Sequence, residues 1–116
     1  MHELSISNAM LRQVALLVDR HGATGVSEIT LRLGPLSGVE PALLRAAYMQ
    51  SRADTPAAHA DLVIVDAPVR ILCRRCAAVG EVTGRPLRLV CQACGNDDTR
   101  LLGGDEMLLE SVELRF

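Results

Sequence analysis

Four cysteines fall in two close pairs, Cys73-Arg-Arg-Cys76 and Cys91-Gln-Ala-Cys94, with 14 residues between the pairs. A C-x-x-C turn can aim two thiolates at one metal about 2.3 Å away, and a short hairpin brings a second such turn opposite the first. The spacing is that of a four-cysteine zinc ribbon. Gly95, directly after the second pair, suits a turn whose backbone amides donate to thiolate sulfur, because glycine readily takes a positive φ. Ala77, at the matching place after the first pair, fits such a turn less well. The competing use of a C-x-x-C is thiol–disulfide exchange, which needs an exposed low-pKa cysteine at a helix N-terminus. Two pairs at ribbon spacing argue against it, leaving redox chemistry and an iron–sulfur cluster as lesser alternatives. With four protein thiolates on the ion no coordination position stays open, so the expected zinc is structural rather than catalytic.

The second candidate is the start of the chain, Met1-His2-Glu3. Met1 is expected to be retained, since the initiator is removed before small residues and His2 is large. Contiguous atoms then offer three nitrogens: the Met1 amine, the His2 backbone amide once deprotonated, and the His2 imidazole. The Glu3 backbone amide could supply a fourth. Planar nitrogen donors suit square-planar Ni(II) or Cu(II) better than tetrahedral zinc. Taken alone, a histidine at position 2 reads more simply as an exposed terminal residue. Glu3 is equally open, because an acidic residue in a first helical turn favourably meets the helix dipole. His21 and His59 have no second ligand at helical or turn spacing, and His21 reads as a residue that helps finish the first helix.

The elements that would position these residues follow from periodicity. Leu4, Leu11, Val14, Leu17 and Val18 share one helical face, predicting a helix from residue 4 to about 21, with Gly22 at its C-cap. Residues 26–33 alternate, Ile29, Leu31 and Leu33 against Glu28, Thr30 and Arg32, which predicts a half-buried strand. A Gly-Pro-Leu-Ser-Gly turn at 34–38 leads to Pro41 as first residue of a second helix ending near residue 53. The apolar run Leu62-Val63-Ile64-Val65 predicts a central strand covered on both faces. Residues 54–60 read as an exposed connection, and Val112, Leu114 and Phe116 alternate as a closing strand. The predicted fold class is α+β: a small three-stranded sheet with two helices, residues 1–68 and 105–116, plus an inserted four-cysteine zinc-ribbon module at 69–104, held as a hairpin.

Composition narrows the function. At 116 residues one main domain with a modest core is expected, and with Tyr48 and Phe116 the only aromatics, that core must be Leu, Val, Ile and Ala. Every basic side chain other than histidine is arginine, the net charge is -2, and no stretch is strongly polycationic. The module carries six arginines against Glu81, Asp97 and Asp98; a zinc tetrathiolate adds about two negative charges, leaving it close to neutral. It also lacks an aromatic for base stacking, so nucleic acid is not an expected partner and a ribbon adaptor is the alternative reading. No apolar run approaches the roughly 18 residues of a membrane span, and Met1-His2-Glu3 has no signal-peptide pattern, so a cytoplasmic protein with no membrane partner is expected. In a reducing cytosol paired cysteines are metal ligands more often than disulfides.

Met1-His2-Glu3-Leu4-Ser5, the segment Leu33-Gly34-Pro35-Leu36-Ser37-Gly38-Val39 and the two late C-x-x-C pairs, in this order, resemble the HypA/HybF nickel chaperones of hydrogenase maturation. The resemblance covers essentially the whole chain. It implies a non-enzymatic metallochaperone: a nickel-binding domain with His2 as side-chain ligand, and a zinc domain bound through Cys73, Cys76, Cys91 and Cys94. Ni(II) would be delivered to a [NiFe]-hydrogenase large-subunit precursor with the help of a nickel-handling GTPase, by a monomer or a homodimer. Glu3 and its surroundings would lie at the GTPase contact, and Glu40, beside the Gly-Pro-Leu-Ser turn, would approach the nickel site. Two departures stand out. The family usually has Cys-Pro-x-Cys-Gly in its second pair and Gly after the first, where this chain has Gln92 and Ala77. Val79 stands nearest to where such ribbons often carry an aromatic, so a weaker module core is expected.

Overall fold

The computed structural model of the chain describes residues 2–116. Its elements are α1 (His2–His21), β1 (Gly25–Leu33), α2 (Pro41–Ser51), β2 (Asp61–Asp66), β3 (Val69–Cys73), β4 (Val79–Val82), β5 (Thr99–Gly103) and β6 (Met107–Arg115). The strands form two three-stranded sheets, ordered β2-β1-β6 and β4-β3-β5. The fold is α+β, as expected. By contacts the chain divides into two compact units: Met1–Arg32, Val39–Val65 and Leu108–Phe116 make the first, Leu33–Gly38 and Asp66–Met107 the second. The module expected at 69–104 lies inside the second unit, which also takes in the 33–38 turn.

In the first unit α1 buries Met10, Leu11, Val14 and Val18 along one stripe, the geometry that residues three and four apart must give. Gly22 ends the helix with φ 64°, the left-handed conformation a C-cap requires. Glu40 caps α2 in extended conformation, its side chain accepting from the Ala42 N–H, and Pro41 follows where its missing donor costs nothing. Between the helices the Ser7 and Ser51 hydroxyls lie 2.7 Å apart in a partly buried contact, and Ser51 also donates to the Ala47 carbonyl. Ile29 and Leu31 of β1 join Leu44 and Tyr48 of α2 and the α1 stripe in one core.

Two expectations about this unit fail. The apolar run 62–65 is not central: β1 occupies the middle of the sheet and β2 an edge, with Leu62 the only fully buried member of its run. Two arginines, one in α2 and one at its C-cap, anchor the start of this edge strand. Arg45 Nη1 donates to the Leu62 carbonyl at 2.7 Å, and Arg52 Nη1 donates to the Ala60 carbonyl, just before the strand, at 3.0 Å. Nor is 54–60 simply exposed. Ala57 and Ala60 are fully buried, and the segment supplies the carbonyl of Ala60 that accepts from the Tyr48 hydroxyl at 2.7 Å. A buried phenol needs such a partner, and a tight segment with alanine at the contact points provides it.

In the second unit β3 pairs antiparallel with β4, Val69 opposite Val82, and with β5, Cys73 opposite Thr99. The cysteine-bearing module is therefore a three-stranded sheet rather than a hairpin. Val69, Ile71 and Val82 form its small core, with Leu87 and Leu101 packed against them. The 33–38 turn joins this unit through backbone. Gly34 N–H donates to the Glu106 carbonyl at 2.9 Å and Leu36 N–H to that of Gly104 at 2.8 Å. A side chain on Gly34 would run into the Gly104 carbonyl, and one on Gly104, at φ 110°, would meet Val69 Cα at 2.7 Å. The Glu106 carboxylate accepts a short hydrogen bond from the Gly104 N–H.

Candidate metal centres

The four cysteines sit on two turns of matching construction. Cys73 ends β3, its N–H donating to the Ala78 carbonyl at 2.9 Å, while the Ala77 N–H returns to the Cys73 carbonyl at 3.0 Å. In the other turn the Cys91 N–H donates to Asn96 at 2.9 Å and the Gly95 N–H to Cys91 at 2.9 Å. The four sulfurs lie within 4.8 Å of one another, with Cys73 and Cys94 3.6 Å apart and Cys76 and Cys91 also 3.6 Å apart. A metal with thiolates at about 2.3 Å in a tetrahedron separates its sulfurs by about 3.8 Å, so the donor set fits zinc. A disulfide would need about 2.05 Å and is not formed.

Backbone amides prepare these sulfurs for a cation. The Cys76 N–H, 3.4 Å from the Cys73 sulfur, brings the Cys73 thiol down to about 6. The Cys94 N–H likewise lowers Cys91. Cys76 receives the Ala78 N–H, which favours its thiolate, yet hydrogen bonding with the Cys91 and Cys73 sulfurs pushes it up to about 11. Four sulfurs this close repel as thiolates, and a divalent ion resolves the conflict. Cys73 and Cys91 are buried, Cys76 and Cys94 exposed.

The other candidate residues gather at the start of α1. His2 is exposed, with Nδ1 3.6 Å from the Glu3 carboxylate. Glu3's own backbone N–H, with that of Glu40 and the neighbouring His2 imidazole adding to it, holds the Glu3 carboxyl below the usual carboxylate range. Glu40 is thus drawn to Glu3 through its main chain, while its own carboxylate is engaged as the α2 cap at 3.4 Å from the Ala42 N–H. Met1, whose amine the sequence offers as a donor, lies outside the described residues. His2 and Glu3 occupy the first turn of α1, where backbone N–H groups have no acceptor within the helix. His21, the last residue of α1, is remote in sequence from every other candidate ligand, and His59 is exposed in the segment after α2.

Sequence reasoning named the cysteines but missed their supporting carbonyls, at Ala78 and Asn96, and the link from Glu3 to the Glu40 N–H. The first had a local signal, since each lies two residues beyond its C-x-x-C. The second joins residues 37 apart and had none.

Proteins of similar sequence and fold supply the family. The family model described as hydrogenase/urease nickel incorporation, metallochaperone, HypA, matches residues 1–114. A hydrogenase maturation factor HypA of Nitrosospira multiformis is 40% identical over 114 residues, covering 98% of this chain and 97% of its own. The protein of the same name from Aquifex aeolicus is 32% identical, with 98% and 97% covered. Among solved structures, the solution structure of the Ni metallochaperone HypA from Helicobacter pylori shares the fold at TM-score 0.67 and 22% identity, covering 97% of both chains. A match over nearly the whole length, by sequence and by fold, means that this chain belongs to the HypA family of metallochaperones for nickel incorporation in hydrogenase maturation, a family of carriers and not of enzymes.

Proposed function

We propose that the protein binds Ni(II) at its N-terminus, through the Met1 amine, the His2 imidazole and the backbone amides of His2 and Glu3, and delivers it in the cytosol to a hydrogenase large-subunit precursor. The observation that carries this reading is the position of His2 and Glu3 in the first turn of α1. Amides there hold no helical hydrogen bond, so recruiting them to a metal leaves the helix ladder intact and gives up only the contact of the Glu3 N–H with its own carboxylate. The Glu3 carboxyl, held below the usual range by its own N–H with a smaller contribution from that of Glu40, sits 3.6 Å from the imidazole of an exposed His2 that can reach an ion. Glu40 itself acts in this account chiefly through its cap and its N–H.

Few donors, all at one exposed end, favour release to a partner, as a carrier requires. The receiving partner is a nickel-handling GTPase or the precursor itself, docking around Glu3. The second unit is the zinc-binding domain, with Zn(II) on Cys73, Cys76, Cys91 and Cys94 as a structural ion.

The test is an N-terminal extension. Adding residues before Met1 removes the amine while leaving His2 intact, and nickel affinity measured by calorimetry is expected to fall at least about tenfold against the untagged chain. Equal affinity in both would refute the amine as a donor.

A further inference from the structure

The two cysteine turns are alike in hydrogen bonding and unlike in one residue. The position after the second pair is Gly95, with φ 77°, and the position after the first is Ala77, with φ 64°. In this left-handed region a Cβ crowds the following carbonyl, a strain glycine escapes. Ala77 is one of two non-glycine residues at positive φ among the described residues, the other being Asp54. It is held there from both sides: its own N–H is bonded to the Cys73 carbonyl, and the next N–H, of Ala78, points at the Cys76 sulfur. The second hold exists only while Cys76 keeps its place.

We infer that the zinc site opens from its first turn, and that Cys76 is the thiolate an incoming electrophile takes first. The inference rests on the reading of these cysteines as a zinc site. Letting Cys76 go frees Ala77 to return to an ordinary backbone conformation, whereas letting Cys94 go relieves no comparable strain, since Gly95 has none. Cys73 does not leave in its place. It is 1% exposed, and its main chain is fixed in β3 opposite Thr99. Cys76 and Cys94 are both exposed, so access alone does not choose between them.

The chemistry of the probe is simple. The sulfur of Cys76 adds to the double bond of N-ethylmaleimide, a proton from water completes the adjacent carbon, no group leaves, and the zinc, short of one ligand, passes to a chelator.

The experiment uses the full zinc-loaded chain, less than one equivalent of N-ethylmaleimide, peptide mass spectrometry to locate the adduct, and a chromogenic chelator to follow zinc. Cys76 is expected to carry most of the first adduct. Ala77→Gly is expected to slow zinc transfer about threefold. The double exchange Ala77→Gly with Gly95→Ala is expected to move the first adduct to Cys94. A first adduct on Cys94 in the natural chain, or an unchanged transfer rate in Ala77→Gly, would overturn the inference. One zinc per chain in every variant is the condition for either result. Its absence from the natural chain would instead refute the zinc reading itself.

Discussion

The two candidate metal regions of this molecule are built on opposite plans. At the cysteines, two turns some 18 residues apart in sequence bring four side chains to within 4.8 Å, and backbone amides are aimed at the sulfurs before any ion arrives. At the start of α1 the donors are neighbours along the chain, one of them is an exposed imidazole, and the nearest support is a carboxylate tied to the Glu40 N–H. A site that needs the fold to assemble it can in turn hold the fold together. A site that needs only three consecutive residues can gain and lose its ion without the fold noticing. That difference matches a structural ion in one place and a cargo in the other.

The largest effect that could break this comparison is loss of the zinc ligands. Cys91→Ser leaves a small core of Val69, Ile71 and Val82 to hold the second unit alone. Structural zinc binding is worth roughly 10–16 kcal/mol at neutral pH, far more than such a core supplies. Amide signals from residues 66–107 are expected to collapse into the unfolded region of an NMR spectrum while those of α1 and β1 remain dispersed. Dispersed signals throughout would remove the structural role.

Next comes pH. An amine and an imidazole bind nickel only when unprotonated, so affinity is expected to fall at least about tenfold between pH 7.5 and pH 6. Zinc retention should change less over that range, because an affinity worth roughly 10–16 kcal/mol leaves the site loaded even after protons compete for its sulfurs. That competition has a definite sign: the Cys73 thiol, lowered to about 6, takes up its proton only below that pH, whereas Cys76, pushed up to about 11, gives one up to the ion throughout. Flat nickel affinity across the range, measured by calorimetry, would count against the N-terminal donors.

The smallest effect separates two roles for Glu40. Glu40→Ala removes the cap of α2 and is expected to cost about 1 kcal/mol in chemical denaturation. Nickel affinity should stay within about threefold, since the N–H that meets Glu3 survives the substitution. A loss beyond about tenfold would make the Glu40 carboxylate a ligand.

Much of this was legible in the sequence. The cysteine spacing announced the cluster of four sulfurs, the alternation over 26–33 announced β1, and Pro41 marked the start of α2. Ala77 was readable as a poor fit after the first pair, and its φ of 64° is the form that misfit takes. What escaped was decided at long range. The run 62–65 looks central because it is apolar, but its place at the edge is set by β1 pairing with β6 from the far end of the chain. The strand Thr99–Gly103 is short and pairs with β3 across some 28 residues, so no local pattern betrays it. The membership of 33–38 in the second unit depends on Gly34 passing Gly104 without side chains between, which glycine spacing alone does not reveal.

The central claim, that two metals occupy two separate sites and only one is cargo, is tested most directly by metal analysis and Ni(II) titration of the untagged protein against His2→Ala. The account predicts one zinc per chain in both proteins, with nickel binding lost in the variant alone. Equal nickel binding in both, with zinc still present, would contradict it and leave a zinc-ribbon adaptor as the better description.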